Sequence, residues 1–190
     1  SHATGMTGTG KTLAVYNGLN GTNTMFCATA SGVYNVTSAG AVGASVASRT
    51  NGKHQHWMFG DGTNNYLMMF NGVDKPLYFD GTTWIAVDGA SSPALTGVTT
   101  TELISGFVFK GRLMLIQKAS LSFWYLASGA AGGALTEFDL SGEAPHGGYL
   151  MAGISGTFDG GAGRDDFCAF MTSEGDVIVY KGTNPSSAAD

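Results

Sequence analysis

Charge is scarce in this chain: Asp, Glu, Lys and Arg make up 12% of its 190 residues, against about a quarter in ordinary soluble domains. The nine basic residues are scattered and the formal net charge is −5. A nucleic-acid-binding face needs clustered Lys and Arg, so none is expected. Disorder is excluded as well, because 43% of the residues are hydrophobic and disordered chains combine low hydrophobicity with high charge. Cysteine is almost missing. Cys27 and Cys168 sit in the apolar runs TMFCAT and DDFCAF, which reads as buried free thiols, and two residues cannot supply a framework of disulfide staples. No apolar run approaches the ~18 residues of a membrane helix. The opening SHATG has neither an initiator Met nor a basic n-region, so no signal peptide is expected and Ser1-His2 read as a tag scar. Amphipathic helical stripes are nearly absent too.

Glycine is abundant, at 30 residues, and it punctuates short strands. Four segments share one plan, an apolar strand, a small polar turn and a second strand ending in aromatics: TMFCATASGVYNVT (24–37), YLMMFNGVDKPLYFDGTTW (66–84), RLMLIQKASLSFWYL (112–126) and DFCAFMTSEGDVIVYKGT (166–183). Tyr34, Tyr78, Tyr125 and Tyr180 fall at equivalent places in the second strand. Hairpins repeating every ~40–50 residues are the signature of a β-propeller. The turns agree: Ala30-Ser31-Gly32, Asn71-Gly72 and Ser173-Glu174-Gly175 put Gly where a tight connection needs positive φ. The all-apolar runs Leu67–Phe70 and Leu113–Ile116 suit inner strands packed on both faces. HQHWMFG (54–60), ISGFVFKG (104–111) and YLMAGISG (149–156) are candidate strands entering each blade, with TWIAV (83–87) and LTEFDL (135–140) as outer strands. Residues 38–53 and 88–103 read as inter-blade connections or weak edges. The expectation is all-β: a flexible lead-in over 1–12, one propeller-like domain over 13–183 with about four blade-like antiparallel units, and a tail over 184–190. A fragment of a larger or incomplete propeller is left open.

Several motifs compete with that structural reading. GMTGTGKT (Gly5 to Thr12) satisfies the phosphate-loop pattern through Gly5, Gly10, Lys11 and Thr12, but that chemistry needs a buried strand before the loop and a helix starting at the Lys-Thr pair. SHAT is too short and polar for the strand, and LAVYNGLNGTNT carries two Asn-Gly steps that end a helix early. A chance match is expected, with no nucleotide cofactor. GGAGRDDFC (160–168) fits one turn of a calcium-binding nonapeptide, yet shared ligation needs stacked copies; Asp159, Asp165 and Asp166 remain weak cation candidates. His54 and His56 share a face if the segment is a strand, and with His146 they are the only candidates for a zinc site. No Ser elbow or nucleophile–His–acid spacing is present. Asp80, Asp88, Glu137 and Asp139 could meet as paired carboxylates only through the fold. Trp57, Trp84 and Trp124, with Phe123 and Tyr125, are packing residues or, if exposed, a platform for a sugar or a protein; Trp84, on a turn exit, is the one most expected at the surface.

The stretches LYFDGTTW (77–84), FKGRLMLIQKASLSFWYL (109–126), GGYLMAGISGTFDGGAGRDDFCAF (147–170) and TSEGDVIVYKGTNPSSA (172–188) resemble a group of uncharacterised phage and prophage virion proteins. The resemblance covers close to half of the chain. It implies a non-enzymatic structural component of a tailed-phage particle, in the tail or the head-to-tail region, made in the bacterial cytoplasm and contacting other virion proteins. Relatives of this kind would continue beyond GTNPSSA with further strands. It offers no catalytic residues. The alternatives are a lectin-like, glycan-binding propeller and, further off, an enzyme acting on a polysaccharide.

Overall fold

The computed structural model describes residues 3–159, 164–182 and 185. All regular elements among them are β-strands and two single 3-10 turns, at Thr100–Glu102 and Ser141–Glu143. A short β1 (Ala3–Thr4) precedes the first meander, which comprises β2 (Thr12–Asn17), β3 (Asn23–Ala28), β4 (Gly32–Asn35) and, after β5 (Gly40–Ala41), β6 (Ala47–Ser48). The second comprises β7 (Gln55–Gly60), β8 (Asn65–Phe70), β9 (Leu77–Phe79) and β10 (Trp84–Ala86). After β11 (Leu95–Thr96) the third comprises β12 (Leu103–Phe109), β13 (Arg112–Gln117), β14 (Ser122–Tyr125) and, past β15 (Gly133–Ala134), β16 (Thr136–Asp139). The fourth has three described strands, β17 (Leu150–Asp159), β18 (Arg164–Thr172) and β19 (Val177–Tyr180). Each meander is an antiparallel sheet whose strands pair in chain order. Two parallel clips, β1 with β5 and β11 with β15, tie connections together. Among the described residues the sheets form no closed barrel or propeller ring.

Local chemistry sets the turns. Asp61, Asn71, Asp80 and Asp88 each accept, through Oδ1, two backbone N–H groups two and three residues ahead. This repeated Asx turn reverses the chain at every strand exit between β7 and β11. Gly72 and Gly175 hold φ of +70° and +93°, as a left-handed turn residue should. Gly32 is different. Its φ is not positive; a Cβ there would stand 2.8 Å from the Ala47 carbonyl oxygen, so glycine lets β6 approach. The turn itself is closed by Thr29, whose hydroxyl accepts from the N–H groups of Ser31 and Gly32.

The four sheets stack in chain order, and the first strand of each lies against the first strand of the next: β2 on β7, β7 on β12, β12 on β17. Three apolar seams fill the spaces between them. Phe26, Leu67, Leu77 and Phe79 join the first sheet to the second. Met68, Phe70, Tyr78, Leu113 and Leu115 join the second to the third. Phe107, Met114, Phe123, Cys168 and Phe170 join the third to the fourth. The apolar runs of the second strands, Leu67–Phe70 and Leu113–Ile116, are fully buried because both of their faces meet a seam.

The four repeated tyrosines occupy the third strand of each sheet, directly across from a sulfur side chain: Cys27, Met68, Met114 and Cys168 in turn. Their equivalence stops there. Tyr78 and Tyr125 face the following sheet, whereas Tyr180 faces the preceding one and Tyr34 faces the outside of the first sheet. A shift of one residue against the repeat exchanges the two faces of a strand.

The lead-in also differs from a free arm. Ala3 and Met6, with Val42, cover Cys27, Tyr34 and Val36, an apolar patch that would otherwise meet water. Both cysteines are buried free thiols, and burial pushes the Cys168 thiol up to about 12, so neither is a nucleophile near neutral pH.

Candidate functional site

Where the first strands converge, a groove of about 610 Å³ opens between Gln55–Met58 of β7, Ile104–Val108 of β12 and Met151–Ser155 of β17. Two glycines bring these strands close. A Cβ on Gly106 would lie 2.5 Å from both the Trp57 ring and the Met114 carbonyl oxygen, and a Cβ on Gly153 would overlap the Phe107 ring. Thus Trp57 of the second sheet seats on Gly106 of the third, and Phe107 of the third seats on Gly153 of the fourth. Trp57 is further fixed by stacking on Phe70, with ring centres 4.7 Å apart and planes 5° apart. His56 reaches the groove, and the loss of water around its ring lowers its pKa. The groove's lining residues include no carboxylate.

Beside the groove lies an apolar sheet face. Ile154, Ala169 and Val179 form one rung across β17, β18 and β19, and Ala152, Met171 and Val177 form the next. Ile154 is 59% exposed, Val177 63%, Val179 54% and Met171 49%. The opposite face of the same sheet, through Cys168, Phe170 and Ile178, is packed into the third seam.

The other candidates are dispersed. Thr12 opens β2, not a helix, so no helix N-terminus faces the Gly5–Thr12 loop. Gly10 sits tight on Cys27 Sγ, where a Cβ would stand at 2.7 Å. The Lys11 N–H donates to the Ala28 carbonyl. The Thr12 hydroxyl donates to the Gly52 carbonyl and accepts from the His54 N–H, binding the first sheet to the loop before the second. These are structural duties, and the phosphate-loop geometry is not formed.

His54 and His56 do not share a face. His54 precedes β7 and turns inward, where Asn71 Nδ2 lies 3.2 Å from Nε2. Asn71 Oδ1 already accepts from Val73 and Asp74, so its amide nitrogen donates and Nε2 accepts. Burial lowers the His54 pKa, which keeps the ring neutral in that role. His146 is engaged elsewhere: its Nδ1 lies 2.5 Å from Asp176 Oδ1, and its N–H donates to Asp176 Oδ2. Among the described residues no three metal-ligating side chains converge. The loop 160–163 and the side chains of Asp159 and Asp165 lie outside the described residues; Asp166 accepts from the Thr157 hydroxyl at 2.8 Å.

Three of the four acids considered for glycoside chemistry act locally. Asp80 closes its turn. Hydrogen bonds from Lys75 and from the Ala90 N–H hold Asp88 below its ordinary value. The Ser141 N–H and hydroxyl do the same for Asp139. Glu137, the fourth, stands across from Trp124 in the β14–β16 pair.

The three tryptophans are half-buried rather than open platforms. Trp84, expected at the surface, packs edge-on to Phe26 and stacks on Phe79 at 5.0 Å. A seam next to a turn exit claims it. Trp124 donates its indole N–H to Gln117 Oε1 at 2.9 Å. What single-residue reasoning missed is the apolar face of the fourth sheet. Its signal, alternation in MAGIS and DVIVY, was visible, but which parity faces outward is set by the register with Phe170 and Cys168.

No helix among the described residues is long and apolar enough to cross a membrane. Comparison of the chain with protein-family models, with curated proteins and with solved structures gave no match.

Proposed function

We propose that the chain is a non-enzymatic structural component of a tailed-phage or prophage particle, an arc of β-propeller-like blades that holds its place by docking through sheet faces. The observation that carries this reading is the outer face of the fourth sheet, where Ile154, Met171, Val177 and Val179 stand exposed on a regular, paired surface. Apolar side chains clustered and exposed on one sheet face favour a contact surface over a solvated one. The propeller reading draws on four meanders stacked in chain order, the first strands of the second, third and fourth converging on the groove; it supplies a rigid scaffold on which each added sheet extends the same packing. Acids tied up in turns and in an ion pair, and the side chains of His54 and His146 held by hydrogen bonds, fit a role without chemistry. The family resemblance in the sequence supplies the setting, a virion.

Mass spectrometry of purified particles from a lysogen or phage that encodes the chain tests this. Stoichiometric recovery with the known virion proteins is expected. Reproducible absence from particles, with the protein present in the lysate, would sink the proposal.

A further inference from the structure

The internal packing follows one rule, and both ends of the stack leave it incomplete. In each of the first two seams after β7, the first-strand residue that seats on the next sheet belongs to a rung of fixed composition. That rung is Trp57–Met68–Tyr78 in the second sheet and Phe107–Met114–Tyr125 in the third. Gly106 immediately precedes Phe107, and Gly153 immediately precedes Ile154. Aligned on those glycines, the matching rung of the fourth sheet is Ile154–Ala169–Val179. Tyr78 and Tyr125 are at most 5% exposed, whereas Val179, at their position, is 54% exposed and Ile154 is 59% exposed. Among the described residues the fourth sheet therefore presents a seam-forming face on which no other sheet is packed.

At the other end, the first sheet presents the opposite kind of face. Its inward side, Ala14 and Phe26, packs on the second sheet. Its outward side carries Leu13, 62% exposed, with Val15 and Met25 also open. Ala3, Met6 and Val42 cover only the β3–β4 portion of that side around Cys27, Tyr34 and Val36. The part left open is the first-strand part, which is the part that meets a neighbour at every internal seam.

We propose that a second copy of this chain covers these faces, the two copies joining head to tail so that the fourth sheet of each packs on the first sheet of the other. Every internal seam joins a following face to a preceding face, and the described residues leave one open face of each kind. Its own copy thus carries the complementary surface, in continuity with the seams already formed. None of the exposed positions named on either face is charged, so nothing on them selects a charged partner. A head-to-tail contact closes into a ring or runs on as a filament. Two copies bring twice four sheets, within the roughly four to eight blades that propellers use to close. The inference rests on the docking reading proposed above and names the partner on that surface.

Sedimentation velocity and light scattering of the purified chain over a wide concentration range test it. The expected species has twice the 19.5 kDa chain mass. The double variant Ile154→Lys/Val179→Lys should run as a monomer, and so should Leu13→Lys/Val15→Lys on the other face. Mixing the two variants should restore a two-chain species, because one intact joint remains between them. A wild-type chain that stays monomeric throughout overturns the proposal. So does a Leu13→Lys/Val15→Lys variant that remains dimeric, which would mean that fourth sheets pair with each other. Circular dichroism of each variant guards against misfolding, and the restored mixture can only arise from folded partners. Absence of the protein from particles would remove the virion reading while leaving a dimer in place, so the two failures are distinguishable.

Discussion

Gly106 and Gly153 do at the residue scale what no side chain could. Each clears the space into which an aromatic ring of the preceding sheet fits, and on Gly106 the added methyl would also strike the Met114 carbonyl oxygen, which cannot turn away. Gly106→Ala and Gly153→Ala should therefore each destabilise the fold by about 1–3 kcal/mol, the usual range for overpacking. Gly142→Ala is the control, since a Cβ there meets nothing within 4 Å, and its effect should stay within about 0.5 kcal/mol. Urea unfolding followed by tryptophan fluorescence measures all three. Lys11 offers the complementary test of a motif without its context. Its N–H is bound to Ala28 and the next residue begins a strand, so titration with ATP or GTP and Mg²⁺ should show no saturable binding, and Lys11→Ala should titrate like the parent. Saturable binding lost in Lys11→Ala would overturn that reading.

Most of the individual strands could be read from the sequence, whereas the facing of several of them could not. The entering strands expected within 54–60, 104–111 and 149–156 are β7, β12 and β17, and the outer strands expected within 83–87 and 135–140 are β10 and β16. Alternation and turn residues are local, so they survive in a single sequence. Facing is not local: Tyr180 and Tyr125 sit in the same kind of strand, yet one looks back and the other forward, because register across the sheet decides it. The same limit hid the packing of Trp84, whose partners Phe26 and Phe79 come from two different sheets.

One connection between elements depends on pH. The segment after β16 is strapped to the β18–β19 turn by His146 and Asp176, with Ser173 N–H donating to the Tyr149 carbonyl alongside. Hydrogen bonding and attraction to Asp176 raise the His146 pKa above its ordinary 6.5, and the hydrogen bond from His146 is first among the causes that lower Asp176 below 3.8. The histidine's contribution is complete below 6.5 and is lost as pH rises through its raised pKa. The aspartate's is present above 3.8 and is lost as pH falls through its lowered pKa. The strap is tightest between those two ordinary values. The melting temperature of the parent should exceed that of His146→Ala in mildly acidic buffer, and the gap should narrow in alkaline buffer. A gap that widens with rising pH would contradict this account.

For the whole molecule, stability is distributed by seams, and each seam joins only neighbouring sheets. Strands β8 and β13 are central in their sheets and have seams on both faces, whereas the fourth sheet has a seam on one face and an open apolar face on the other. In such a stack the end sheet opens at lower free energy than the middle. Leu113→Ala, at a fully buried position in the second seam, should cost about 2–5 kcal/mol and affect the whole transition, because it weakens the joint between the two halves. Hydrogen exchange then separates the end from the middle. In dilute solution the amides of β17 and β19 should exchange well before those of β8 and β13. If a second copy seats on the fourth sheet, raising the protein concentration should slow exchange in β17, β19 and β2, and leave the ordering of β8 and β13 unchanged, since only the associated state protects the end faces. Protection that rises with concentration in the fourth sheet but not in β2 would place the contact between two fourth sheets, and uniformly concentration-independent exchange would leave the stack without a partner of its own kind.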